Sequence, residues 1–310
     1  MISRFLIGGA TLATVSVIIA ASARAERTDP NPAAIIAPGD YRFSFSHGGL
    51  TRFYLVHVPR SYRPGRPTPL LLALHGGGGS ADYQATDSKY GLISKSEQAG
   101  FIAVFPNGFS RFGGKLATWN AGTCCAGAVR NKVDDVGFIR AVIHRVEQQT
   151  SIDPRRIFAT GMSNGAMMSW RLACEAPEIR AIAPVEGTDN TLRCNPSRPV
   201  PVIQFHAIDD EMVAFNGGPG PRSVTKVNFT SVPATQAKWV ALNRADPKAV
   251  RILTVPGAHC DLHRGPAPVE LCVTDSGGHS WPGGGTQQFR KQPSQAIRAN
   301  DLMWSFFSSL

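Results

Sequence analysis

Gly161-Met162-Ser163-Asn164-Gly165 sets a serine between two glycines, directly after the extended run Arg156–Thr160 and before a helical stretch carrying Met167, Met168 and Trp170. A serine in a strand-turn-helix setting of this kind can serve as a nucleophile. The turn is so tight that side chains two places before or after the serine would collide with backbone, so glycine stands at both positions. Ser163 is thereby lifted above the sheet edge, at a helix N-terminus that favours developing negative charge.

Attack by a hydroxyl on an acyl carbon also needs donors for the oxyanion. The apolar run Leu70–Leu74 leads straight into His75-Gly76-Gly77-Gly78-Gly79, where the lack of side chains lets backbone N–H groups approach a ligand. We assign one donor to the N–H of Gly77 and the second to Asn164, the residue after the serine. His75 reads as a positioned structural histidine.

The general base should come late in the chain, and His279, in Gly277-Gly278-His279-Ser280-Trp281-Pro282-Gly283-Gly284, is the candidate. The acid that orients it should follow a strand between serine and histidine. Val202–His206 is such a strand, and Asp209, Asp210 and Glu211 after it compete for the role. His259-Cys260-Asp261-Leu262-His263 gathers metal-capable side chains, but a cysteine of an exported chain is expected to be oxidised, so no metal or other cofactor is expected.

These groups need a frame. Tyr41–Ser46 and Thr51–Val58 around His47-Gly48-Gly49 read as an antiparallel hairpin. Short buried strands then alternate with helices: strands at Leu70–Leu74, Phe101–Phe105, Ile157–Thr160, Ala181–Val185, Val202–His206 and Val250–Val255, and helices at Tyr83–Ala99, Asp134–Thr150, Asn164–Cys174, Val232–Asn243 and Ala296–Phe307. The expected class is α/β, a mostly parallel sheet with helices on both faces and the hairpin at its start. Irregular stretches at 106–130 and 214–230 are available to shape a site.

Residues 1–25 have the layout of a secretory signal: Arg4, an apolar run from Phe5 to Ala20 shorter than the roughly 20 residues of a membrane span, and Ala23-Arg24-Ala25 as the cleavage site. The expected product is a single catalytic domain over 26–310, exported to the periplasm or beyond, without stable membrane insertion. The chain carries 32 Lys plus Arg against 22 Asp plus Glu. The basic residues are scattered rather than banded, which argues against a nucleic-acid footprint. Of six cysteines, Cys260 with Cys272 across a Gly/Pro loop, and Cys174 with Cys194, are the favoured pairs. The neighbours Cys124 and Cys125 are left open.

Taken together, Leu-His-Gly-Gly-Gly-Gly at 74–79, Thr-Trp-Asn-Ala-Gly at 118–122, Val-Asp-Asp-Val-Gly-Phe at 133–138, Gly-Met-Ser-Asn-Gly at 161–165 and Gly-Gly-His-Ser-Trp-Pro-Gly-Gly at 277–284 resemble the polyhydroxybutyrate depolymerase and feruloyl esterase family of secreted α/β-hydrolases. The resemblance implies Ser163 as nucleophile and His279 as base. It selects Asp210 as acid, at the fifth position of a His-Gly-Thr-x-Asp segment that here reads His206-Ala207-Ile208-Asp209-Asp210. It also implies that Trp119, Asn120 and Trp281 border the acyl pocket. The expected substrates are feruloyl or related acyl esters on cell-wall polysaccharide, with hydroxyalkanoate oligomers as the alternative. The former is preferred because no separate substrate-binding module is read. A binding protein that keeps the fold without the chemistry is the alternative of another class.

Overall fold

The structure, a computed structural model, describes residues 27–28, 33–286 and 291–310, and the expected leader at 1–25 lies outside the described residues. The short β1 (Arg27–Thr28) pairs parallel with β2 (Gly39–His47), and β2 turns back antiparallel on β3 (Leu50–Val58) as the expected hairpin. Then come β4 (Thr68–Leu74), β5 (Ile102–Pro106), β6 (Ile152–Met162), β7 (Ala181–Val185), β8 (Val202–Ala207), β9 (Val250–Val255), β10 (Ala258–His263) and β11 (Val269–Thr274). Their order across the sheet is β1-β2-β3-β5-β4-β6-β7-β8-β11-β10-β9.

The middle of this sheet, from β5 through β11 in the order above, is parallel; β3 and β2 continue it antiparallel on one side, with β1 parallel at the end, and β10 and β9 continue it antiparallel on the other. Parallel strands buried on both faces are apolar throughout rather than alternating. In β4, Leu70, Leu72 and Leu74 enter one core while Leu71 and Ala73 enter the other. The first core is closed by α5 (Asp135–Gln149), α6 (Asn164–Glu175) and α7 (Val232–Asn243), through Ile139, Ile143, Met167, Trp170 and Trp239. The second is closed by α3 (Leu92–Ala99) and α8 (Ala299–Ser308), through Leu92, Met303, Phe306 and Phe307. Each such large apolar side chain, fully buried, contributes roughly 1.5–3 kcal/mol.

The expected helix over Tyr83–Ala99 is instead three pieces, α1 (Ala81–Gln84), α2 (Asp87–Tyr90) and α3. Gly91 adopts φ 62° and ends α2, a left-handed conformation that glycine adopts at little cost. A further short helix, α4 (Ala126–Arg130), lies within the stretch read as irregular. The strand Val250–Val255 is present, but it is a largely exposed antiparallel edge rather than a member of the parallel series. The last helix begins at Ala299, three residues later than its apolar spacing suggests.

Disulfides join Cys174 to Cys194 and Cys260 to Cys272, and the adjacent Cys124 and Cys125 are joined to each other. Cys260 and Cys272 stand directly opposite in the β10–β11 ladder. In the neighbouring cluster, Asp261 binds Arg251 and the His263 ring contacts the carbonyl of Asp246, so these side chains serve the sheet edge.

Candidate active site

Ser163 sits at the exit of β6 with φ 58° and ψ −118°, a conformation unusual for a residue with a side chain. Such strain costs on the order of 1–3 kcal/mol and persists only where surroundings impose it. Here the serine N–H donates to the Val185 carbonyl at 2.9 Å, and its carbonyl accepts from Met167 N–H at 2.9 Å. The flanking glycines are required by contact: a Cβ on Gly161 would lie 2.5 Å from the carbonyl carbon of Gly165, and one on Gly165 would lie 2.2 Å from the Leu74 oxygen. Ser163 itself remains partly exposed at the N-terminus of α6.

The glycine loop after β4 closes over this turn. A Cβ on Gly76 would lie 3.5 Å from Ser163 Cβ, and one on Gly77 would lie 3.6 Å from Asn164 Cβ. Gly78 and Gly79 donate their N–H groups to the carbonyls of Ala117 and Gly76. Among the described residues, the N–H groups of Gly77 and Asn164 have no protein acceptor, which leaves the two expected oxyanion donors available beside Ser163.

His75 holds the loop from below. Gly108 N–H donates to its Nε2 at 2.9 Å, so that nitrogen is an acceptor, and Nδ1–H donates to the Gly76 carbonyl at 2.8 Å. Full burial pushes the ring down to about 4, which keeps it neutral in this tautomer. It is a structural histidine, as its neighbours in sequence suggested.

Asp210 follows β8 and His279 follows β11, the next strand of the sheet. His279 Nδ1–H donates to Asp210 Oδ2 at 2.7 Å, while Asp210 Oδ1 accepts from the N–H groups of Met212 and Val213 at 2.7 and 3.0 Å. Burial pulls this carboxyl upward, but the facing His279 and the backbone donors outweigh it and hold Asp210 below the usual carboxylate range. Asp209 has different work: its carboxylate accepts from Gly278 N–H at 2.7 Å and from Lys291 Nζ at 3.1 Å. Glu211 is turned to solvent near Arg222. Of the three competing acids, Asp210 is therefore the one bonded to the histidine.

The structure adds a residue that sequence reading passed over. Glu186, at the exit of β7, is fully buried, and one ligating atom each from Glu186, Asp210 and His279 lies within 4.8 Å of the others. The signal was a lone acid ending the wholly apolar run Ala181–Val185, immediately before Gly187. A Cβ on Gly187 would lie 2.5 Å from the Ser163 carbonyl oxygen, so this strand exit rests directly on the serine turn.

Trp119, Asn120 and Trp281 were expected to border the acyl pocket; the structure shows both indoles buried and Asn120 half-buried, with their polar groups bonded internally. Trp119 is 0% exposed and donates its indole N–H to the His75 carbonyl. Trp281 is 1% exposed and donates to Asn300 Oδ1 at 3.0 Å. Asn120 is held by Asp135, Val133 and Arg171. Each has its polar group engaged internally, as buried indoles and amides usually do.

Strand exits that carry Ser163, Asp210 and His279 in this chain order, on a parallel sheet covered on both faces, follow the plan of the α/β-hydrolase fold, and this chain has that fold. Residues 78–228 match the dienelactone hydrolase family. The chain is 29% identical to feruloyl esterase B of Piromyces equi, over 74% of this chain and 42% of that protein. It is 30% identical to feruloyl esterase C of Emericella nidulans, over 54% of this chain and 58% of that protein. Both matches span less than two thirds of the relative's length. The solved acetyl xylan esterase from Aspergillus awamori superposes with a TM-score of 0.56 at 16% identity, over 84% of this chain and 94% of that one, which speaks to the fold.

Proposed function

We propose that residues 26–310 form one exported serine carboxylesterase that hydrolyses feruloyl or related acyl esters of plant cell-wall polysaccharide. The carrying observation is the 2.7 Å bond between His279 Nδ1 and Asp210 Oδ2, on the sheet edge that also presents Ser163. With Nδ1 donating to a carboxylate, Nε2 of the neutral ring is the basic nitrogen, and it faces the task of accepting the serine proton.

In the first half-reaction Ser163 Oγ bonds to the ester carbonyl carbon as its proton passes to His279. The oxyanion is stabilised by the Gly77 and Asn164 N–H groups and by the α6 N-terminus. Collapse breaks the carbon–oxygen bond to the alcohol, which leaves with the proton from His279. Water then attacks the acyl-serine with His279 again as base, releasing the acid and restoring the serine. Asp210 holds the histidine in the required tautomer and stabilises the imidazolium.

Two observations support the substrate class. The relatives named above include feruloyl esterases. A polar cleft of about 520 Å³, lined by Tyr90, Lys95, Asn300 and the segment Pro282–Gly285 that follows His279 in sequence, offers hydrogen-bonding groups suited to saccharide hydroxyls.

The deciding experiment compares kcat/KM for methyl ferulate and for a soluble 3-hydroxybutyrate oligomer, with Ser163→Ala as the blank. The expected ratio is well above one. A ratio well below one makes the enzyme a polyester-oligomer hydrolase, and no turnover of either substrate above the blank leaves a binding protein with a hydrolase fold.

A further inference from the structure

Glu186 is placed with unusual care for a residue outside the triad. Its backbone takes φ 49° at the end of β7, and its N–H donates to the Phe205 carbonyl of β8 at 2.9 Å. Both carboxyl oxygens lie 3.1 Å from the Ala207 N–H. The groups that face it are Asp210 and His279, each with a side-chain atom within 4.8 Å of its carboxyl, Asp209 beyond, and His206, whose Nε2 lies 3.6 Å from Glu186 and 3.5 Å from Asp210. His206 does not supply a compensating charge: its Nε2–H donates to the Val213 carbonyl at 2.8 Å, and burial holds the ring neutral.

Two carboxyl groups within 4.8 Å of each other in a buried site resist ionising together, which favours one proton on the pair. Burial first, then the charge of Asp210, drive the Glu186 carboxyl well above its usual range, while Asp210 stays ionised against His279. Proton and charge are thus divided: Glu186 is the donor, Asp210 the acceptor.

We infer that Glu186 is a proton-bearing positioning residue, which donates to Asp210, keeps that carboxylate turned to His279, and becomes the histidine's anionic partner when Asp210 is neutralised. The inference rests on the reading of Ser163, His279 and Asp210 as the catalytic groups. In Asp210→Asn the neighbouring charge is gone, so the Glu186 carboxyl ionises more readily, and it already lies in the cluster that contains His279. The proton leaves to solvent and no other bond changes.

The test is a double-mutant cycle of Glu186→Gln and Asp210→Asn, read as kcat/KM against pH. Gln keeps an N–H donor for Asp210 and an oxygen for the Ala207 N–H, so E186Q alone should stay within about threefold of the parent enzyme. D210N should gain activity as pH rises, through ionisation of Glu186, and D210N/E186Q should lose that limb and fall about tenfold further at pH 8. Equal activity and equal pH profiles for D210N and the double variant overturn the inference, as does a folded E186Q that has lost more than about tenfold. A Glu270→Gln background, which removes the other strongly raised glutamate, gives an independent reading: with 13C-labelled glutamate, infrared spectra at pH 8 should contain a protonated side-chain carboxyl band that further Glu186→Gln removes, and its absence, or its survival in that second variant, equally overturns the inference. Undiminished turnover by Ser163→Ala and His279→Ala overturns the triad reading instead, without altering that band.

Discussion

Asn164 and Trp119 are joined by two hydrogen bonds running in opposite directions: Trp119 N–H donates to Asn164 Oδ1 at 2.7 Å, and Asn164 Nδ2 donates to the Trp119 carbonyl at 3.1 Å. Since the Trp119 indole in turn donates to the His75 carbonyl, the residue after Ser163 indirectly holds the glycine loop in place. Asn164→Ala keeps the backbone donor but removes this clamp. It should lower kcat about tenfold with little change in KM and cost roughly 1–3 kcal/mol of stability, because buried Trp119 groups lose partners. Steady-state kinetics and urea unfolding check it, and an unchanged kcat would sever the proposed link between clamp and loop.

Gly165→Ala should be far more damaging than its chemistry suggests. The added methyl meets backbone oxygens of Leu74 and His75 at 2.2 and 2.6 Å, which no rotamer can relieve. A loss of at least about 3 kcal/mol, or failure to accumulate folded protein, is expected. Gly48→Ala is the control: its Cβ meets nothing within 4 Å, so only the positive φ of 58° is penalised, at about 1 kcal/mol. Similar melting temperatures for the two variants would count against the steric account.

Arg52 and Asp135 form a buried ion pair at 2.7 Å, with Arg52 stacked 3.9 Å over the Phe138 ring and Asp135 also accepting from Asn120 N–H at 2.8 Å. Asp135→Asn leaves the guanidinium buried without its counter-charge. The expected cost is about 3–5 kcal/mol by denaturant titration. A cost below 1 kcal/mol would mean that the Phe138 face and the Asn107 carbonyl alone suffice for the cation.

Two buried groups give stability opposing pH dependences. His75, depressed to about 4 by burial, is neutral in the fold; its contribution is full above 6.5 and is lost as pH falls toward 4. Glu270, raised by burial to about 7, contributes fully below 4.5 and loses that contribution as pH rises through 7. Glu270→Gln should therefore stabilise the protein by about 2 kcal/mol at pH 8 and leave it unchanged near pH 4.5, steepening the decline on the acid side. Unfolding curves at these two pH values test the claim, and an equal effect at both would remove ionisation of Glu270 as the cause.

What could be read from sequence was what sterics dictates locally. Gly161 and Gly165 announce the turn because no other residue fits there, and the continuous apolar run of β4 announces a strand covered on both faces. Gly91 was legible only as a residue in a helical stretch, although it divides that stretch. Val250–Val255 has strand composition, but nothing local fixes its direction or edge position. The choice among Asp209, Asp210 and Glu211 depends on where a loop some 70 residues later places its histidine, as their nearly identical surroundings in sequence show. The burial of Trp119 and Trp281 was not legible either, because an indole's type says little about whether it faces ligand or core. Glu186 escaped because the proton it shares depends on contact between two separate strand exits.

Asp209, which lost the contest for the histidine, grips the residue immediately before it. By binding Gly278 N–H, its neighbour Asp210 and the target His279 are carried on two loops that are pinned at adjacent residues on both sides. The acid and the imidazole therefore behave as one rigid body rather than as two groups that must meet. Their effective concentration toward each other is set when the chain folds, and little ordering entropy remains to be lost in the proposed proton transfer.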